Sequence, residues 1–569
     1  MNAERLLKLY GKVAEAPDAI EHLRRFVLDL AVRGKLVEQG PGDEPAAELL
    51  KRIAAEKVRL LKEGEVRNKP DLPPVETVDQ PHPIPNTWRW VRFANIVDFS
   101  AGRTPSRNDS SFWNTGDFPW VSIADMEDGE IVESTKETVS EKARKVAFKS
   151  APEPPGTMIM SFKLTIGKIA RLGFPAFHNE AIISIRPHLA ELDPYLFKVL
   201  PDLARSGKTK GAIKGATLNR ESISNILIPL APLAEQQRIV AKVDELMALL
   251  DRLETARTER ETTRDRLTNA SLARLTAPET DPEAFPRHAG FALDALPALT
   301  ARPDQIKSVR QTILNLAVIG KLVDQDSTDE PASELLKRIA ADKARLLKAG
   351  EIKRQKSLPA VEREPFAIPT TWQWVCLGEL GITQTGSTPP KSRKDYYGSD
   401  IPFIRPGDLY PDHVEYSGQG LTRSGAEASG RLVPIGSILM VCIGTVGKCQ
   451  IVDRLVSFNQ QINTLTPFDG VASRFLLFSL QSSYFQEVAW AASARTTIAI
   501  LNKGNWEKLP IPLPPLAEQQ RIEQKVDELM ALCDQLEVVL AGANTARARL
   551  LETLLHQALE ARSPAREAA

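Results

Sequence analysis

The chain has 569 residues, too many for one hydrophobic core, so three or more packing units are expected. Its 42% hydrophobic and 26% charged residues exclude a low-complexity chain, and no uncharged apolar run reaches the roughly 18 residues that would span a membrane. Lys and Arg, 73 together, balance 73 Asp and Glu, which excludes nucleic-acid binding by bulk electrostatics and leaves only local binding, or binding shared with a partner.

Residues 18 to 32 place Ile20, Leu23, Val27 and Leu30 at helical spacing, with Gly34 set to stop the helix. Asp43-Glu-Pro-Ala46 then opens a second helix that ends near Gly64, with Asp43 expected as its cap. A proline-rich linker, Pro70 to Pro85, separates these helices from a stretch of different texture. From Trp88 to Pro229 short apolar runs, among them 120–123, 156–160 and 181–185, alternate with Gly, Pro, Asn and Ser and predict strands joined by turns, with a helix near Pro194 to Leu203. Pro232-Leu-Ala-Glu-Gln-Gln-Arg238 opens a long helix whose apolar stripe is Ile239, Val243, Leu246, Leu250 and Leu253, turning polar at Arg257, Arg260 and Arg264.

The whole series then returns. Ile306, Val309, Ile313 and Leu316 precede Gly320; Asp329-Glu-Pro-Ala332 leads to a helix ending near Gly350; a linker runs from Pro359 to Pro369. Trp372 to Pro512 repeats the strand-rich texture, with runs at 437–441 and 461–465 and a helix expected from Arg474 to Trp490. Pro515-Leu-Ala-Glu-Gln-Gln-Arg521 opens the second long helix, with the stripe Ile522, Val526, Leu529, Cys533 and Leu536. Two similar modules imply an approximate twofold suited to a target in two halves. A stripe this regular calls for a partner helix, and its own copy is the nearest candidate; about 40 helical residues would span roughly 60 Å as a rigid spacer. The expected domains are residues 1–84 (helical), 85–230 (strand-rich), 231–365 (central helical), 366–513 (strand-rich) and 514–569 (long helix). The four cysteines show no metal-ligand spacing and are expected to be reduced, and the chain is expected in the cytoplasm.

Pro-Leu-Ala-Glu-Gln-Gln-Arg opening a long helix, Gly34-Lys-Leu-Val37 ahead of Asp-Glu-Pro-Ala, and duplicated domains beginning at Trp88-Arg-Trp90 and Trp372-Gln-Trp374 together resemble the DNA-specificity subunit of bacterial type I restriction-modification systems, over about residues 18–558. The resemblance implies an α+β fold with two pseudo-twofold-related mixed α/β target-recognition domains, separated by a pair of long antiparallel, coiled-coil-like helices. Each domain would read one half of an interrupted site in double-stranded DNA. The helices would set the gap and dock two methyltransferase subunits and, through them, restriction and translocase subunits. It implies no catalysis in this chain: S-adenosylmethionine, ATP and Mg²⁺ would belong to the partners, which methylate adenine at N6 and cut DNA. The sequence itself lacks a phosphate loop, since Asp202 stands where Gly207-Lys-Thr209 would need the first glycine, and it lacks an adenine-methylation motif and a zinc-ligand cluster. A helical scaffold that no longer reads DNA, or a methylation-only relative, is the alternative.

DNA contact needs Arg or Lys for guanine and phosphate, and Asn or Gln for adenine. In the first strand-rich domain the candidates are Arg103, Ser106, Arg107 and Asn108 after the Gly-x-Thr-Pro turn, Lys168, and the acid-free run holding Arg205, Lys208, Lys210, Lys214, Asn219 and Arg220. In the second they are Lys391, Ser392, Arg393 and Lys394, Lys448, and Arg495, Thr496, Thr497, Asn502 and Lys503. A solvated basic loop is the plainer reading of each. Features common to domains that read different sequences, namely Thr104, Pro105, Thr388, Pro389, Gly167, Gly447, Asn179 and Asn459, are expected to shape loops, with Lys168 and Lys448 open to either role. Trp113, Trp120 and Tyr396 are open to packing against DNA, though aromatic residues in such patterns are usually core.

Overall fold

The computed structural model describes residues 8, 10, 11, 13–66, 71–205, 210–212, 215–277, 284–352, 357–429, 431–495 and 498–560. It divides into two units, residues 1–258 with 544–569, and residues 259–543, and the division falls inside both long helices.

In the first unit, helix α1 (Ala19–Val32) ends where Gly34 takes φ +65°, with Gly34 N–H donating to Ala31 O and Lys35 N–H to Leu30 O at 2.9 Å. This is the glycine-terminated helix end expected from the sequence. A Cβ on Gly34 would also lie 2.5 Å from Pro85, so chain path and close approach both require glycine. Helix α2 (Ala46–Lys62) follows. Asp43 does not cap it: Pro45 holds the N-cap position, Ala46 N–H donates to Thr87 O at 2.9 Å, and the Asp43 carboxylate instead takes Arg238 at 2.5 Å. That guanidinium holds the Asp43 carboxyl below its ordinary range.

Strand Arg89–Arg92 pairs antiparallel with Leu227–Leu230, so the chain enters and leaves the domain side by side. Between them lies a five-stranded sheet in the order Val97–Ala101, Ile182–Pro187, Met158–Ser161, Ile169–Leu172, Ile131–Val132. A three-stranded sheet is centred on Trp113–Val121. Helix α3 (Asp193–Arg205) packs Leu196, Val199 and Leu200 into one core with Leu23, Val27 and Leu30 of α1 and with Ile239, Val243, Leu246 and Leu250 of the long helix α4 (Leu233–Thr276). Leu253 is partly buried against the same core. Arg24 of α1 reinforces the contact by donating to Glu254 at 2.7 Å.

The second unit repeats the plan. Helices α5 (Pro303–Val318) and α6 (Ala332–Lys348) lead to strand Gln373–Cys376, paired with Pro510–Leu513. The central sheet has four strands in the order Gly381–Thr385, Ile462–Pro467, Ile438–Val441, Cys449–Ile451. The helix expected from Arg474 to Trp490 is two, α7 (Ser473–Gln481) and α8 (Ser483–Ala491), broken where Ser482 takes ψ 149° and caps the second through Phe485 N–H at 3.3 Å. Ile522, Val526 and Cys533 of the long helix α9 (Leu516–Glu560) share a core with Ile306, Ile313 and Ala317 of α5 and Phe475 and Phe478 of α7, while Leu529 and Leu536 pack partly buried beside them. Each stripe is therefore covered by the first helix of its own module and a helix of the adjacent domain, not by the duplicate long helix that its regular spacing suggested, because that first helix presents a matching apolar face.

One buried lock recurs in both units. The Trp88 indole, 1% exposed, donates to Glu235 Oε2 at 2.9 Å, and Gln39 Nε2 donates to Glu235 Oε1 at 2.5 Å. Trp372 and Gln325 repeat these bonds to Glu518 at 2.9 and 2.5 Å. Gln236 and Gln519 tie the helix starts to the carbonyls of Ala231 and Pro514 at 2.9 and 3.0 Å, and Arg521 pairs with Asp329 as Arg238 does with Asp43.

The far ends of the long helices are also held. Within the first unit Leu551 and Leu555 of α9 are buried in the core that holds α1, and the Lys35 ammonium donates to the Leu559 carbonyl. Within the second, Leu272 and Leu275 of α4 pack with Leu299 and Leu316, Glu261 and Asp265 pair with Arg302, and Lys321 donates to Ala277 O at 3.0 Å. The lysine of each Gly-Lys-Leu-Val segment thus caps the carbonyl end of a long helix, where a cation opposes the negative end of the helix dipole.

Two expectations follow for unfolding of the full chain. Glu235→Ala strands the buried Trp88 donor in the interior, at about 1–3 kcal/mol, while the exposed Gln39 amide turns to water; Glu235→Gln keeps an acceptor for the indole. Burial raises the Glu235 carboxyl above its ordinary 4.5, so ionisation is harder in the folded chain and this group's contribution, complete below that value, shrinks as pH rises through the folded one. The stability of Glu235→Gln relative to the unsubstituted chain should therefore increase with pH above 4.5; a pH-independent difference in denaturant midpoint would contradict this. Lys35→Met should cost about 0.3–1 kcal/mol and speed hydrogen exchange over residues 551–560. Unaltered exchange there would show that the lysine holds nothing.

Candidate nucleic-acid interface

The Gly-x-Thr-Pro turns are built alike. A Cβ on Gly102 would lie 2.0 Å from His178 O and one on Gly386 2.0 Å from Asn459 O, so each glycine is required by close packing on the neighbouring turn. Thr104 donates to Glu180 and Thr388 to Gln460, while Pro105 and Pro389 are buried. Asn179 and Asn459 accept from the backbone N–H two residues on, at 3.0 and 3.1 Å. Gly167 and Gly447 take φ +77° and +102°. These residues shape the loops.

On this frame the first domain places Arg103, Ser106, Arg107 and Asn108 at the surface. The loop is pinned from below: the Trp120 indole donates to Arg103 O at 3.1 Å and the Trp113 indole to Ser106 O at 3.0 Å, with both rings buried. Arg107 pairs with Glu137 and lies 3.8 Å over the Trp113 ring, and its hydrogen bond to that carboxylate raises its affinity for the proton. Arg103 donates to Ala147 O at 2.9 Å. Asn108 makes no side-chain hydrogen bond among the described residues.

In the second domain Lys391, Ser392, Arg393 and Lys394 are all exposed. Arg393 pairs with Asp395 at 2.7 Å and lies 4.1 Å over Tyr396. Lys391, Ser392 and Lys394 make no side-chain hydrogen bond or ion pair among the described residues.

Lys168 and Lys448 are half-buried and donate to Ile123 O at 3.4 Å and Pro406 O at 3.0 Å, each joining a sheet hairpin to a short 3-10 turn. Asn219 and Asn502 cap short helices through Ser222 and Asn505 N–H at 2.7 and 2.8 Å. Arg205 is engaged by Asp202, Asp128 and Gly167 O, and Lys503 by Glu507 at 3.0 Å. Arg220 is exposed with no side-chain partner among the described residues. Lys208, Lys214, Thr496 and Thr497 lie outside the described residues. Lys210 and Arg495 fall in strands Lys210–Ala212 and Ala494–Arg495, of which the backbone alone is described.

The geometry adds one segment that spacing did not single out. The turn that Arg103 grips continues Glu141–Ala143 into Arg144–Phe148, carrying Lys142, Arg144 and Lys145, with Lys149 exposed at φ +57° just beyond. Four cations to one acid over nine residues was the available signal. Its place beside the Gly-x-Thr-Pro loop was not visible, because Arg103 and Ala147 lie 44 residues apart. The thiols of Cys442 and Cys449 are buried and pushed up to about 12 by desolvation, which keeps them protonated. No helix among the described residues is long and apolar enough to cross a membrane.

The family model for the type I restriction modification DNA specificity domain matches residues 85–261 and again 369–538. The type I restriction enzyme EcoAI specificity subunit of Escherichia coli is 31% identical over 95% of this chain and 94% of its own length, and the EcoEI specificity subunit of the same organism is 29% identical over the same shares. Among solved structures, the HsdS subunit from Thermoanaerobacter tengcongensis is 21% identical, with a TM-score of 0.40, over 85% of this chain and 99% of its own. Two tandem matches to one specificity domain, and relatives aligned nearly end to end, place this chain in the family of type I restriction-modification DNA-specificity subunits.

Proposed function

We propose that each domain reads one half of a bipartite, gapped site in double-stranded DNA through the loops raised on the shared frame, and that the long helices set the gap and dock two modification subunits. The observation that carries this is the contrast between copies. Groups that build the loops recur at matching positions, whereas the exposed groups on them differ: Arg103, Ser106 and Asn108 in one domain, Lys391, Ser392 and Lys394 in the other. Readout by a few base-edge contacts needs this division, because phosphate contacts position a protein and base contacts specify. The balanced charge fits a subunit whose partners supply much of the phosphate binding. In this proposal the chain is non-catalytic and cytoplasmic. S-adenosylmethionine, ATP and Mg²⁺ are used by the modification and restriction subunits, and adenine N6 is the methylated atom.

Mapping methylated adenines in cells that express this chain with its modification partner tests the reading. Exchanging residues 372–512 for those of a relative should change one half of an interrupted motif and leave the other half and the gap intact. Loss of both halves, or no motif from co-purifying soluble proteins, would sink it. For the assembled complex, Lys391→Ala and Lys394→Ala should each reduce the slope of log affinity against log salt by about 1 if that lysine meets a phosphate. A changed base preference with an unchanged slope would reassign that lysine to readout.

A further inference from the structure

The two domains share a hairpin turn, 161–168 in one and 441–448 in the other; its backbone bonds match at both ends, while at the apex Gly444 N–H donates to Ala499 O at 2.9 Å and, in the first domain, Thr165 N–H to Lys163 O at 2.8 Å. Ser161 N–H donates to Lys168 O at 2.9 Å and Val441 N–H to Lys448 O at 2.8 Å; Gly167 N–H reaches Ser161 O at 2.9 Å and Gly447 N–H reaches Val441 O at 3.0 Å. Phe162 O accepts from Leu218 N–H at 2.9 Å and Cys442 O from Leu501 N–H at 2.8 Å. At the apex both turns enter the left-handed region. In the second domain that residue is Gly444, at φ +87°; in the first it is Leu164, at φ +65°.

A bulky side chain in this conformation is strained, and glycine would relieve it. Leu164 is also 60% exposed, so burial of its side chain gives little back. Held against both conformational cost and exposure, the leucine stands where its counterpart shows that the fold needs no side chain at all. The bond from Leu218 to Phe162 places the turn beside the chain leaving the hairpin of Lys210–Ala212 and Gly215–Thr217, two residues before the exposed Arg220. Lys163, next to Leu164, adds a cation 5.3 Å over the Phe162 ring.

We infer that Leu164 is a specificity-determining residue of the first domain, which contacts the C5-methyl group of a thymine in the major groove. This rests on the DNA-reading assignment above. An apolar side chain flanked by cations suits that group, the one apolar feature on a major-groove base edge.

The test uses the full chain assembled with its modification partner and duplexes carrying the mapped site, with each thymine of the half read by the first domain replaced in turn by uracil, which lacks the methyl. The unsubstituted chain should lose affinity roughly fourfold at one such position, the factor expected for one methyl-sized contact. Leu164→Gly should bind the thymine duplex more weakly by a similar factor, show no thymine-to-uracil difference at that position, and melt no lower than the unsubstituted chain. Leu164→Gly that retains the same thymine preference overturns the assignment, as does a half-site in which no thymine methyl matters, and in both cases DNA reading stands. Failure of the unsubstituted assembly to select any two-part site overturns the DNA-reading assignment itself.

Discussion

A buried carboxylate facing an indole governs both copies of this protein. Glu235 and Glu518 sit in the first turn of the long helices, 0% and 1% exposed, and each receives a tryptophan N–H and a glutamine N–H. A carboxyl group there tolerates burial only because donors converge on both oxygens. Those donors come from the linker that enters the strand-rich domain and from the segment after the first helix. The lock therefore joins three stretches far apart in sequence and fixes where each domain starts relative to its long helix. The glycine ending α1, φ +65°, and its packing against Pro85 belong to the same junction, since a side chain there would displace the proline three residues before Trp88.

From this junction upward, the copies separate what holds the fold from what faces solvent. Many of the charges that the local sequence suggests as DNA ligands are already engaged within the fold. Arg107, Arg205, Arg393 and Lys503 face carboxylates, and Lys168 and Lys448 are drawn to carbonyls. Exposed ion pairs contribute little to stability and exchange partners at small cost, so Arg107 and Arg393 could release a carboxylate for a phosphate. The two half-buried lysines differ, since leaving their carbonyls would open the contact between a sheet hairpin and a 3-10 turn.

Much of the fold was legible because duplication marks it. The helix ends at Gly34 and Gly320, the strands near 158–161 and 438–441, and both long helices follow from period and punctuation alone. What the sequence hid were pairings across distance. Asp43 looks like a cap because it precedes a helix, but its carboxylate meets an arginine 195 residues away. Asn219 and Asn502 look like base-reading amides but cap local helices, and a residue type alone does not separate these uses. The stripes of the long helices announced burial correctly but suggested each other as partners, where the first helix of the same module covers each, since an apolar face specifies a partner's character and not its origin.

Comparing the copies residue by residue gives a criterion that neither offers alone. Where both domains need the same geometry, they hold the same group: tryptophan, glutamate, glutamine and glycine at the junction, glycine and threonine in the turns. Where they differ at a buried site, the residue stays apolar, as when Cys533 takes the place of Leu250. Where they differ at an exposed site, the fold provides no reason. Leu164 against Gly444 is one such place, and Thr255-Ala256 against the largely exposed Val538-Val539 of the second long helix is another. At these two exposed places the halves differ where the fold makes no demand, which separates them from differences in the core or in the sheets, where packing sets the choice.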